Sequence, residues 1–393
     1  MGTFASPTAL SRVLCLASLT LTAGLGCGEE AAPPAQAEPP LPEPAEQAHD
    51  ADMPVRSAGF LGFPEHAADA ALAPQRLSET GAFADLATLE VSEGVLPYGV
   101  QSPLWSDGAY KARWLALPAD GTVGFSAQGA WTFPEGTVFI KHFALALDES
   151  RPEELRRMET RFWIAARDGE FYGAVYKWNE EQRDAELLLD AVDEELTVLG
   201  SDGVARQQRY SFPAASACGQ CHSESAGRVR GVRTDQLNGD FDYGQARGEP
   251  GTAVNQLRTL QGLGVFSEPI GEPAQYPHLV GIADESAPVE ERVRSYWDSN
   301  CAMCHDDSPS SASWDARYQV PLAEQRVLMA LPRSGAGPDD LRLIYPGDPE
   351  RSLLYRRVNS DRPGTRMPPM LRNRVDAAYA ELLRTWILSL PAP

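Results

Sequence analysis

The sequence is short of cysteine, of cations and of long apolar runs, and each shortage excludes something. Six cysteines occur in 393 residues. Cys15 lies inside an apolar N-terminal run, Cys27 closes it, and the other four fall in two short motifs, which leaves none for a structural disulfide. Lysine and arginine number 34 against 55 acidic residues, a formal charge of −21. Such a surface repels a phosphate backbone and argues against nucleic acid as a partner.

The run Val13 to Leu25, preceded only by Arg12, is too short to span a bilayer and has the form of the apolar core of a secretory signal. It ends at Gly26-Cys27, a junction of the kind cleaved in bacterial lipoproteins, with Gly24 where that junction usually has leucine. Residues 1–27 are therefore expected to be a lipoprotein-type signal peptide, with Cys27 lipidated. Gly28 after the cysteine, rather than aspartate, points to the outer membrane. The mature protein is expected in the periplasm or anchored to the outer membrane of a Gram-negative bacterium, touching the membrane through its lipid. From Gly28 to about Met53 there is no basic residue and no apolar periodicity, so residues 28–58 are expected to form a Pro/Ala/Glu tether.

Residues 75–212 carry strand signals. Asp120-Gly121, Asp168-Gly169 and Asp202-Gly203 sit between runs rich in aromatic and β-branched residues, the pattern of tight hairpins. Trp105, Trp114, Trp131, Trp163 and Trp178 all fall here and fit the core of an antiparallel β-sandwich. Beyond residue 212 the period changes. Val254, Leu257, Leu260 and Leu263 predict one helix, Pro288 to Asn300 a second, Ser352 to Val358 a third and Arg372 to Leu390 a last. The fold class expected is α+β: an N-terminal antiparallel β-sandwich-like domain followed by a mainly α-helical part. Residues 213–287 and 288–393 divide that second part.

What is present is the pattern C-x-x-C-H, twice: Cys218, Cys221 and His222, then Cys301, Cys304 and His305. Two thiols at this spacing lie on one helical turn and reach the vinyl groups at one porphyrin edge, and the adjacent histidine becomes an axial iron ligand. Two covalently bound haem c groups are the expected cofactors. A redox dithiol or a zinc site are the competing readings, and no thioredoxin-like βαβ pattern surrounds either motif.

A helix into the second motif, a further helix, a Met-Pro loop and a terminal helix make the layout of a class I cytochrome c domain over 288–393. Met367, in Arg366-Met367-Pro368-Pro369-Met370, is the distal ligand that layout predicts, with Met370 as the alternative. No methionine lies between Met158 and Met303, so the first haem has no Met-Pro loop of its own. Its distal position falls to His278, to His142 or Met158 from the β-rich part, or to no protein group.

The string Tyr98 to Lys111 (YGVQSPLWSDGAYK), with Phe133 to Thr137 (FPEGT), Glu159-Thr160-Arg161, Tyr176 to Asn179 (YKWN) and the two C-x-x-C-H motifs, resembles a bacterial family of exported dihaem c-type cytochromes, over about residues 75–390. The resemblance implies two haems and no established substrate. It suggests as a partner a parallel β-helix protein often encoded beside the family. His142 stands where the family has threonine or a similar residue, which weakens a family-wide ligand there. The function expected is periplasmic single-electron transfer with a redox partner protein, an electron carrier rather than a catalyst. The alternative is a dihaem enzyme reducing a peroxide or another small oxidant at an open first haem. A β-domain protein with zinc, or one that binds carbohydrate, is a third reading.

Overall fold

Strand pairing dominates the first half of the chain. The computed structural model describes residue 57 and residues 59–224, 226–246, 251–306, 314–332, 340–370 and 372–393. The expected signal peptide, Cys27 and the tether up to residue 56 lie outside the described residues. The described residues form one compact unit.

A small hairpin of β1 (Phe83–Asp85) and β2 (Glu90–Val91) precedes the main sheet. That sheet has six antiparallel strands in sequence order: β3 (Val95–Pro97), β4 (Tyr110–Ala116), β5 (Val138–Ala146), β6 (Leu155–Ala165), β7 (Phe171–Trp178) and β8 (Ala185–Leu187). Hairpin β9 (Val192–Leu199) and β10 (Ala205–Phe212) follows. Asp168-Gly169 and Asp202-Gly203 turn β6–β7 and β9–β10, with Gly169 at φ 73° and Gly203 at φ 75°, a region glycine enters without a Cβ clash. Asp120-Gly121 instead opens a long connection from β4 to β5.

Both faces of the sheet are covered, which is why β5 reads as the nearly unbroken apolar run VFIKHFALA. Trp114, Ile140, Phe162 and Tyr176 pack on one side with Phe60, Phe63 and Leu77. Leu115 and Phe139, flanked by Trp163, pack on the other with Val232, Leu257 and Leu260. Each such side chain contributes roughly 1.5–3 kcal/mol by leaving water.

The expected sandwich is corrected here. Among the described residues only one sheet exceeds two strands. The layer opposite it is built by irregular chain, by short helices and, at one end, by β9–β10, whose Leu196, Val198, Tyr210 and Phe212 meet Phe143 and Met158. Alternation in a strand requires a covered face and does not say what covers it.

The helices follow: α1 (Thr234–Leu237), α2 (Tyr243–Ala246), α3 (Gln256–Gly262), α4 (Val289–Asn300), α5 (Leu353–Val358) and α6 (Ala377–Ser389), with a minor pair of β11 (Asp240–Phe241) and β12 (Val254–Asn255). Asn255 caps α3 through the N–H groups of Leu257 and Arg258, so the helix begins at Gln256, two residues after the expected Val254. Helix α6 begins at Ala377 rather than at Arg372, because the Asp376 carboxylate accepts from the Tyr379 N–H and fixes the start there. Helices α4 and α6 pack together. Trp297 lies edge-on to Trp386 at 5.3 Å, Tyr296 stacks on Tyr379, and the Trp297 indole N–H donates to the Tyr379 hydroxyl at 2.6 Å.

Candidate functional site

The stretch Tyr98 to Lys111 is the seam between the sheet and the helices. The Ser102 hydroxyl donates to the Ser295 carbonyl at 3.0 Å, and its N–H donates to the Gln236 side-chain oxygen at 3.1 Å. Gln236 in turn donates to the Ser102 carbonyl and the Ser299 hydroxyl, each at 2.9 Å. The Trp105 N–H donates to the Asn300 side chain at 2.7 Å. Asp107 accepts from the backbone N–H groups of Asn373 and Arg374 at 2.8 to 2.9 Å. Buried polar groups are thus paired across the seam, and the seam grips α4 just before Cys301.

The first motif follows β10 on a 3-10 turn, Ala215–Gln220. The Cys221 and His222 N–H groups donate to the Cys218 carbonyl at 3.2 and 3.0 Å, which brings both sulfurs and the imidazole to one side. The turn lies on β7 at Gly173, where an added Cβ would sit 2.9 Å from the Cys218 sulfur and 3.4 Å from its Cβ. Alanine in a strand usually gains about 0.5–1 kcal/mol over glycine. Gly173→Ala is expected instead to lose roughly 1–3 kcal/mol by overpacking, read as a lower denaturant midpoint, and a gain would show that the turn is not seated on β7.

His222 is the best-defined side chain of the site. Its Nδ1 lies 2.8 Å from the Arg228 carbonyl. A carbonyl only accepts, so Nδ1 carries the proton and Nε2 keeps its lone pair, the arrangement of a metal-ligating histidine. Burial pushes its pKa down to about 4, and the ring is neutral at ordinary pH. Trp163 flanks it at 4.8 Å.

The second motif lies on the C-terminal end of α4. The Cys301 N–H donates to the Trp297 carbonyl at 2.7 Å, the Cys304 and His305 N–H groups donate to the Cys301 carbonyl at 3.0 Å each, and His305 lies 4.9 Å from Trp314. All four thiols are free, and burial pushes each of them up, Cys301 to about 12. Among the described residues no three His, Cys, Asp or Glu side chains converge as a metal site, so the two sulfur pairs do not combine into one zinc centre.

The first motif opens onto a cavity of about 380 Å3. Cys218, Cys221 and His222 line it, and of the second motif only the intervening Ala302 and Met303 reach it, with Asp306 just beyond, while Cys301, Cys304 and His305 do not line it. Cys221 is among the groups that push the Cys304 thiol up, after burial. Arg113, Lys141, Arg161, Arg230, Arg233 and Arg317 also face this cavity, in a chain of net charge −21.

Other expected ligands are elsewhere. His142 points to the opposite face of β5, with Nδ1 2.9 Å from the Thr160 hydroxyl and its ring edge-on to Trp178. Burial lowers its pKa to about 3. His278 is exposed on the surface, and Met158 is buried among Leu196, Tyr210 and Phe212. None of the three lines the cavity. Met367 is half-buried on the loop between α5 and α6. Its N–H donates to the Arg357 carbonyl at 3.1 Å, and the buried Arg372 guanidinium donates to the carbonyls of both Met367 and Val358, stapling the loop to the end of α5. Met370 is exposed. The seam and the cationic wall were not anticipated, although alternate cations on strands were visible at Lys111, Arg113, Lys141 and Arg161.

Comparisons with protein-family models, with curated proteins and with solved structures give no match for this chain.

Proposed function

We propose that the chain is an exported dihaem c-type cytochrome that passes single electrons between a donor and an acceptor in the periplasm. The observation that carries this reading is that Cys218, Cys221 and His222 line one cavity together, with the Nε2 lone pair of His222 free to bind a metal. Haem bound there supplies one-electron chemistry at iron. Cys218, Cys221, Cys301 and Cys304 would hold the two groups, and His222 and His305 would be the proximal ligands. Met367 is the distal ligand proposed for the second, held in place by Arg372.

The competing dithiol chemistry is disfavoured by position. A reactive C-x-x-C thiolate is stabilised at a helix N-terminus, whereas Cys301 sits on the C-terminal end of α4, where the helix dipole repels negative charge. Two haems held within one chain would suit a relay. The lipid anchor at Cys27 and a parallel β-helix protein as redox partner belong to the same proposal.

Protein made with the cytochrome c maturation machinery and then denatured is expected to give about two covalent haems per chain in a pyridine haemochrome assay. None would return both motifs to thiol chemistry. The second reading, a small-oxidant reductase, is favoured by one observation: among the described residues no histidine besides His222 lines the cavity. Carbon monoxide added to the reduced protein separates the two. A shifted spectrum at one haem supports the enzyme, and unchanged spectra support the carrier.

A further inference from the structure

Strand register sets three cations side by side in the cavity wall. Arg113 on β4 pairs with Lys141 on β5, and Lys141 pairs with Arg161 on β6. All three line the cavity, and Arg230 joins them from the loop after the first motif. Arg161 is balanced by the buried carboxylate of Glu159, its Nε 2.9 Å away. Among the described residues no carboxylate lies within ion-pair distance of Arg113, Lys141 or Arg230. The Arg230 guanidinium reaches only the Asp298 carbonyl, at 3.3 Å.

Like charges directly opposite on neighbouring strands repel, and cations held away from bulk water cost more still. Acidic residues outnumber basic ones in this chain, 55 to 34, so missing partners are not for want of carboxylates. Without an anion the wall drives its own amines towards neutrality. Burial, with the neighbouring Arg113 and Arg161, pushes Lys141 well below its ordinary value. A diffusible anion would leave this cost standing whenever the site was empty, whereas a covalently held one offsets it at all times.

We propose that Arg113, Lys141 and Arg230 form a carboxylate clamp for the propionates of the haem attached at Cys218 and Cys221. The clamp rests on the dihaem reading above. Its positive charge favours the reduced iron, so that it sets the first haem's potential above that of the same haem without it.

Potentiometric titration of the full matured chain, followed in the visible bands, tests this. Lys141→Gln and Arg113→Gln are each expected to make one haem harder to reduce by a roughly tenfold change in equilibrium, 59 mV for one electron, with the other haem unmoved. Lys141→Arg, which keeps the charge, is expected to restore most of the shift, as a merely structural role would not. Arg230→Gln on the loop gives the same readout if the strand variants fail to fold. Two haems with unmoved potentials in Lys141→Gln, Arg113→Gln and Arg230→Gln overturn the clamp and leave the cytochrome standing. Fewer than two haems in the unaltered protein overturns the dihaem reading first. If nitrite or inorganic phosphate shifts the wild-type Soret band, and Lys141→Gln abolishes that response without moving either potential, the cations serve a free oxyanion and the clamp is wrong.

Discussion

Replacing Cys218 and Cys221 together by alanine is expected to lower covalent haem from about two per chain to about one and to leave the second haem's spectrum as it was. The expectation follows from where each motif is anchored. The first rests on β7 and Trp163, beside the cluster that contains Leu257 and Leu260. The second caps α4, in the cluster of Val293, Trp297, Trp314 and Trp386. Loss of one attachment therefore removes no core residue from the other. The mirror pair, Cys301→Ala with Cys304→Ala, is expected to spare the first haem. If the two haems act as a relay, rapid reduction of the unaltered chain gives two phases and each double variant gives one. Loss of both haems on removing either motif would mean that the motifs fold as one unit and would refute their separate anchoring.

The local geometry of these motifs was legible in the sequence because their constraints are local. C-x-x-C-H keeps two sulfurs and an imidazole within one turn, and the N–H bonds from Cys221 and His222 to the Cys218 carbonyl realise that turn with no help from distant chain. Helix α4 was legible for the same reason, its acidic first turn and apolar stripe lying within twelve residues. What was hidden depends on register. Lys111, Arg113, Lys141 and Arg161 each look like an ordinary solvated strand residue, and only the pairing of β4, β5 and β6 lines three of them up over a cavity. His142 went astray by the same logic. It is one residue from Lys141, and in a strand one residue is the whole difference between facing the cavity and facing the core. The sandwich was over-read because alternating strands announce burial without naming the covering layer.

Asp107→Ala is the second large effect, and on the dihaem reading it connects the seam to the proposed ligand Met367. Asp107 sits at φ 53°, a left-handed conformation that aspartate tolerates better than most residues. Its carboxylate accepts the N–H groups of Asn373 and Arg374, and its carbonyl accepts from Gln208 at 2.9 Å. Alanine would leave two donors without an acceptor, a loss of about 2–4 kcal/mol for partly buried groups, measured as a lower midpoint in urea. Burial lifts the Asp107 carboxyl above its ordinary value, outweighing the pull of the two N–H donors and of Arg372. Asp107→Asn, which has no charge to desolvate and keeps an acceptor oxygen, is therefore expected to stay within about 1 kcal/mol of the wild type. The consequence for the site runs through three successive residues. Asn373 and Arg374 follow Arg372, whose guanidinium holds the Met367 carbonyl against the end of α5. Releasing the seam in Asp107→Ala frees that staple, and the iron–sulfur charge-transfer band of the second haem is expected to fade at temperatures where the helices are still folded. Equal fading in Asp107→Asn, or a band that persists until the helices melt in Asp107→Ala, would show that the Met367 loop is held by its own contacts and not by the seam.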